Sequence, residues 1–305
     1  CTRNAVSNPT TTAPINIAIG SRLPVSKNAI AIPGSTVWLI ASPIKLILRR
    51  TRTVPGIAHP AAQRFLLMDA VIGVVGAGRM GRGIALSYAY SGQRVALIDL
   101  KARSTSEWQQ MVVTGKAELR ADLNFLASVN LLNEGEVERI LNLISDHHRG
   151  DASTVLEQCP IIYEGVPEVM SAKEAVLAFV SEVVPNDTVI ASTTSTFLVT
   201  ELAKFVRSPE RFMNAHWLNP AHLMPLVEIS KSEQTSTEAV TQLRTSLEAI
   251  GKKTVVCNAS PGYIVPRIQA LAMNEAARLL EEGVASAEDI DRAIHYGFGP
   301  RFAIL

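Results

Sequence analysis

The stretch VIGVVGAGRMGRGIALSYAY, residues 71–90, decides the fold. Residues 71–75 form a short apolar run of the kind that a strand buried on both faces of a parallel sheet presents. They lead into Gly76, Gly78, Gly81 and Gly83, and then into a helical pattern that ends at Gly92. Three of these glycines answer separate physical demands. Gly76 permits a tight turn from strand to helix, Gly78 lets the backbone approach a pyrophosphate with no Cβ in the way, and Gly81 lets the helix lie close to the strand. The turn, with Ala77, Arg79 and Met80 between the glycines, then aims unpaired N–H groups and the positive end of a helix dipole at phosphate oxygens.

A glycine-rich turn alone also arises for structural reasons, so its surroundings carry the assignment. A second strand, RVALID at residues 94–99, ends in Asp99, 18 residues after Gly81. A carboxylate there can accept hydrogen bonds from the adenosine ribose and would repel a 2′-phosphate. NAD is therefore the expected cofactor, with nearby Arg103 weakening the preference over NADP. Between Lys101 and Ile144 there is no proline, and apolar residues recur at threes and fours. This predicts two helices with a break near Gly135, a helical-hairpin insertion. Further strands are expected at 159–163, 188–191, 212–216, 226–229 and 254–257, alternating with helices at 172–183, 198–205 and 237–250. The class is α/β, a Rossmann-type doubly wound and mostly parallel sheet, which places ligands beyond the carboxyl ends of the strands.

The 305 residues are 47% hydrophobic and 19% charged, with net charge +1. That composition excludes a disordered chain, a disulfide-stapled miniature and a strongly basic nucleic-acid binder. The charge is unevenly spread. Residues 1–68 hold eight Lys or Arg and no carboxylate, leaving 21 basic against 28 acidic side chains in the rest. Residues 1–67 also hold seven prolines and no sustained hydrophobic period, so they read as an extension, 1–67, without a fold of its own. It has the composition of an organelle transit peptide, or is upstream sequence that is normally untranslated before Met68. The expected compartment is cytoplasmic, or mitochondrial if the extension is a transit peptide. Cys1, Cys159 and Cys257 show no metal-ligand or C-x-x-C spacing, and Cys159 and Cys257 are expected as buried small hydrophobes. No apolar stretch is long enough to span a bilayer, and no metal site is expected.

Candidate catalytic residues lie at strand ends. Glu164 closes one run, Ser195 lies in STTST at 192–196, and His216 opens HWLNP at 216–220 with Asn219 in it. Glu228 follows His216 by 12 residues. Removing a hydride from a secondary alcohol requires a base for the hydroxyl proton, and an imidazole suits that task. A carboxylate on its other ring nitrogen would fix the tautomer, so His216 and Glu228 could form such a pair. His147 and His148 read as a solvated loop, and His222 as a loop residue.

The ordered set GAGRMGRG at 76–83, STTST, HWLNP, LVE at 226–228 and PGYIV at 261–265 resembles the L-3-hydroxyacyl-CoA dehydrogenase family, over roughly Met68 to Leu305. The resemblance implies NAD-dependent, reversible oxidation of an L-3-hydroxyacyl-CoA, 3-hydroxybutyryl-CoA-like, in fatty-acid metabolism. It casts His216 as general base, Glu228 as its partner, Ser195 and Asn219 as polar contacts near the reacting hydroxyl and nicotinamide, and Glu164 as a carboxylate near the cofactor. It also implies an NAD-binding domain at 68–258, a truncated all-α domain at 259–305, and a homodimer when the helical domain is full length. One departure concerns substrate: where the family motif continues with an Asn that contacts substrate, this chain has Pro266, which offers neither amide nor N–H. A free 3-hydroxy acid of gulonate or carnitine type, or a non-catalytic NAD-binding role, are the alternatives. The C-terminal part should comprise a helix from Tyr263 to Glu282, then one opened by Ser286 and ending near Gly297.

Overall fold

The apolar run before the glycine turn becomes strand β1 (Ile72–Val75) in the computed structural model, which describes residues 70–304. The expectations for residues 1–67 lie outside the described residues. Helix α1 (Arg79–Tyr90) returns the chain to β2 (Val95–Asp99), parallel to β1. Alternate strand residues face opposite sides. Ile72, Val74, Val95, Leu97, Ile161 and Tyr163 join one apolar cluster, while Val75, Ala96, Ile98 and Ile162 join a second. Both faces are thus covered by helices, which is why the strands read as continuous apolar runs.

Strands β3 (Ile144–His148), β4 (Ile161–Glu164), β5 (Val189–Ser192), β6 (Phe212–Trp217), β7 (Leu226–Lys231) and β8 (Lys253–Asn258) complete a sheet of order β3-β2-β1-β4-β5-β6-β7-β8. The order reverses between β1 and β4, and at such a switch point a crevice opens beyond the strand ends. All neighbours are parallel except β6 and β7. Residues 218–225 between those two are fewer than the dozen or so that a parallel crossover needs, so the chain turns straight back.

Several expectations need correction. Strand β3 carries His147 and His148, which read as a loop; its sequence is polar because it is an edge strand whose side chains are mostly half-buried or exposed. The insertion is one long helix, α2 (Thr105–Ser128), opened by a reciprocal cap between Ser104 and Glu107, and a short α3 (Val137–Leu141). The break falls at Asn130, in the left-handed region at φ 57°, and Gly135 merely sits in a following 3-10 turn. Asn tolerates that conformation better than most residues, so no glycine was required there. Cys159 is buried, but Cys257 is only half-buried.

Helices α4 (Ala152–Leu156), α5 (Met170–Val183), α6 (Val199–Leu202) and α7 (Thr237–Ala249) pack on the sheet. Beyond β8, helix α8 (Val265–Glu281) takes Pro266 in its first turn and stops at Gly283, φ 68°. Proline suits that position because its missing N–H would have no intrahelical partner. Helix α9 (Ala287–Ala293) is capped by Ser286 as expected. The expected stop at Gly297 does not occur: a π-turn over Ile294–Phe298 carries the chain into α10 (Gly299–Ile304). No helix among the described residues is long and apolar enough to cross a membrane.

Candidate active site

The glycine turn is tailored by two close approaches and one opening. Gly76 adopts φ 110°, and a Cβ there would lie 2.6 Å from the Gly165 carbonyl oxygen. A Cβ on Gly81 would meet the Gly76 carbonyl oxygen at 1.9 Å, so these two positions exclude any side chain. Gly78 has nothing within 4 Å of its missing Cβ and caps α1 without a side-chain acceptor. This is the opening that a pyrophosphate needs, and the residues present fit a dinucleotide. Ala77 accepts from the Arg82 guanidinium at 2.6 Å, Arg79 is exposed, and Met80 packs on the core.

Asp99 closes β2 and is 4% exposed. Its Oδ2 accepts from Arg103 Nε at 2.5 Å and its Oδ1 from the Lys101 N–H at 3.3 Å, while His148 is its neighbour across the ladder. Asp99→Ala should weaken NADH binding about tenfold, the value of a hydrogen bond to a charged group, and should narrow the gap to NADPH by leaving Arg103 without its acid. Fluorescence titration with both nucleotides measures this; unchanged affinities would mean that Asp99 takes no part in nucleotide binding.

The antiparallel pairing of β6 and β7 sets His216 directly opposite Glu228. Their Nδ1 and Oε2 atoms are 2.9 Å apart, and both side chains are buried. The other oxygen of Glu228, Oε1, accepts from the N–H groups of Ile264 and Val265, each at 2.9 Å. With Nδ1 occupied, proton acceptance falls to Nε2. The sequence-predicted pair is thus brought together, and the carboxylate is held by three bonds.

Glu164 ends β4, the strand beside β1. It is wholly buried, its oxygens taken by Lys173 Nζ at 3.0 and 3.2 Å, Ser192 Oγ at 2.5 Å and the Val166 N–H at 2.8 Å. The more open carboxylate is Glu168, also paired with Lys173, at 3.2 Å. Glu168 Oε1 gathers the Thr194 hydroxyl, the N–H groups of Ser195 and Thr196 at 2.9 Å, and the Thr196 hydroxyl at 2.8 Å. Partial burial alone would raise its pKa, but the hydroxyl bonds and the Lys173 ammonium outweigh it and hold the carboxyl at about 2. Ser195 is exposed on the loop so fixed.

Asn219 is exposed in the loop after β6, which buried Lys252 anchors through the carbonyls of Ala221 at 2.6 Å and Met224 at 2.8 Å. Burial lowers the Lys252 pKa to about 8. His222 in the same loop lies 4.0 Å from Asp122, its pKa lowered chiefly by burial. Glu168, Lys173 and Lys252 escape a reading of the sequence; the available signal was a lysine inside the apolar pattern of residues 170–183. Among the described residues no group of three potential ligands could hold a metal ion.

Residues 71–260 match the family "3-hydroxyacyl-CoA dehydrogenase, NAD binding domain", and residues 262–305 its C-terminal domain. The chain belongs to the 3-hydroxyacyl-CoA dehydrogenase family. Among relatives of this dehydrogenase-family chain is the 3-hydroxyadipyl-CoA dehydrogenase of Escherichia coli, 33% identical over 75% of this chain and 46% of the relative. The chain therefore spans about half the length of that protein. A second is the 5-formyl-3-hydroxy-2-methylpyridine 4-carboxylate 5-dehydrogenase of Mesorhizobium japonicum, 30% identical over 77% of this chain and 72% of that one. The crystal structure of (S)-3-hydroxybutyryl-CoA dehydrogenase from Ralstonia eutropha superposes with a TM-score of 0.68 at 31% identity, covering 76% of this chain and 78% of the other.

Proposed function

We propose that the chain oxidises short-chain L-3-hydroxyacyl-CoA thioesters, 3-hydroxybutyryl-CoA-like, to 3-ketoacyl-CoA, reversibly and within fatty-acid metabolism. The observation that carries this reading is the 2.9 Å bond between His216 Nδ1 and Glu228 Oε2. The open backbone at Gly78 and the start of α1 would hold the pyrophosphate of NAD, and Asp99 its adenosine ribose. NAD, when bound, supplies the hydride-accepting nicotinamide. His216 takes the 3-hydroxyl proton on Nε2, and Glu228 orients the ring and stabilises the imidazolium that results. Three bonds to Glu228 keep it from turning away as charge develops, so the pair needs little reorganisation. Ser195, on the loop that Glu168 fixes, and Asn219, on the loop that Lys252 fixes, supply polar contacts near the reacting hydroxyl and nicotinamide.

A second reading, a free 3-hydroxy acid as substrate, is favoured by Pro266, which puts no amide or N–H in the first turn of α8. It is also favoured by the pyridine carboxylate in the name of the Mesorhizobium relative. Absorbance at the nicotinamide band decides between them. NADH should appear with (S)-3-hydroxybutyryl-CoA and NAD, and disappear with acetoacetyl-CoA; turnover of free 3-hydroxybutyrate with neither thioester used would establish the second reading. Pairing of two copies through the C-terminal helices is supported by exposed apolar side chains on α8, such as Leu271 and Met273.

A further inference from the structure

Tyr263 adopts φ 47°, directly after Gly262 at φ 76°. A bulky side chain rarely occupies the left-handed region, and such strain persists only where surrounding contacts over-determine it. Those contacts are specific. The phenol ring stacks on the His216 imidazole, with centroids 4.6 Å apart and planes 13° from parallel. Its hydroxyl donates to the Thr194 carbonyl at 2.7 Å and accepts from Asn214 Nδ2 at 3.0 Å. Asn214 is itself buried on β6 and also donates to the Phe197 carbonyl at 3.0 Å. Burial pushes the Tyr263 phenol upward in pKa, so it remains a donor. The two residues that follow, Ile264 and Val265, are those whose N–H groups hold Glu228.

The single bond from Nδ1 to Glu228 fixes which edge of the imidazole faces the acid but leaves the ring free to rock about the N···O line. An aromatic plate against its face removes that freedom. The π face also attracts a cation, so it favours the imidazolium over the neutral ring. Both effects act most strongly once the proton is transferred, and interactions of that kind raise kcat rather than lower KM.

We propose that Tyr263 is a positioning residue for the proton-accepting imidazole, its ring, stacked from the left-handed turn at the start of the C-terminal segment, fixing the plane of His216 and favouring the imidazolium. This rests on the dehydrogenase reading above. It also links the Thr194–Thr196 loop to the His216–Glu228 pair through one side chain.

The test uses the full chain with (S)-3-hydroxybutyryl-CoA and NAD. Tyr263→Leu should lower kcat at least tenfold while KM and the NADH Kd stay within threefold, and Tyr263→Phe, which keeps the ring, should stay within threefold in all three. Proton NMR of the unliganded wild type should show the His216 ring protons displaced upfield by the stacked phenol, assigned by their loss in His216→Asn. Tyr263→Phe should retain the displacement. An unchanged kcat in Tyr263→Leu, a loss shared equally with KM and NADH affinity, or a Tyr263→Phe as impaired as Tyr263→Leu would overturn the role. If Tyr263→Leu does not fold, undisplaced ring protons in the wild type, or their return to ordinary positions in Tyr263→Phe, would overturn it. A wild type with displaced protons but no turnover of any hydroxy substrate would overturn the dehydrogenase reading, and the positioning role with it. Wild-type turnover with an unaltered Tyr263→Leu would overturn the positioning role alone.

Discussion

His216→Asn is expected to lower kcat with (S)-3-hydroxybutyryl-CoA by about 10²–10⁴-fold, the usual contribution of a positioned general base. Asparagine keeps a donor that can reach Glu228, so the buried carboxylate is not left alone and the β6–β7 pair survives. It has no nitrogen basic enough to take the hydroxyl proton. NADH affinity should stay within threefold, because the glycine turn and Asp99 lie on β1, α1 and β2, away from the pairing of residues 216 and 228. Stopped-flow turnover together with NADH titration separates the two effects. A variant that keeps the parent rate would remove His216 from the chemistry, and one that loses NADH as well would show that the substitution damaged the fold.

The second large effect is on stability. Lys173→Met removes an ammonium that is wholly buried between Glu164 and Glu168. The Met side chain fills a similar volume, but Glu164 is then a buried carboxylate without a cation. Breaking such a pair from one side costs about 3–5 kcal/mol, a large part of the roughly 5–15 kcal/mol that holds a typical domain together. For a chain of this size that corresponds to a melting temperature lower by roughly 6–20 °C. Adding Glu164→Gln to Lys173→Met should recover part of the loss, since the neutral amide can accept from the Val166 N–H through its oxygen and donate to Ser192 Oγ through its NH2 without an uncompensated charge. Calorimetry of the two single variants and the double variant measures the coupling. A Lys173→Met protein that melts with the parent would mean that water or another cation reaches Glu164.

The parts of this molecule that were legible in the sequence are those with local constraints. Gly81 excludes a Cβ because of the Gly76 carbonyl only five residues back, and Gly76 itself takes a left-handed turn. The glycine spacing together with the flanking apolar strands therefore announces the strand–turn–helix unit, although the Gly165 backbone that also crowds Gly76 lies far along the chain. The β6 and β7 runs were visible as apolar segments, and the types and separation of His216 and Glu228 suggested a pair. The short connection between those strands then forces the antiparallel register that makes the pair direct. What stayed hidden depends on distant partners. Strand β3 has too few buried side chains to show an apolar pattern. Lys173 looks like one more polar residue of a helix until Glu164 and Glu168 close around it. Glu164 is legible as a strand-ending carboxylate, but its burial against Lys173 of α5 is not. Tyr263 is recognisable within its motif, but nothing in the letters reveals a left-handed backbone or the ring that it lays on His216.

Glu228 is shared between two tasks, since the same carboxylate that grips the imidazole also receives the first amides of α8. The start of the C-terminal segment and the His216–Glu228 pair are therefore mechanically one joint. Deuterium uptake at the amides of Ile264 and Val265 becomes a label-free gauge of whether that joint is made, readable in solution without substrate, nucleotide or a chromophore.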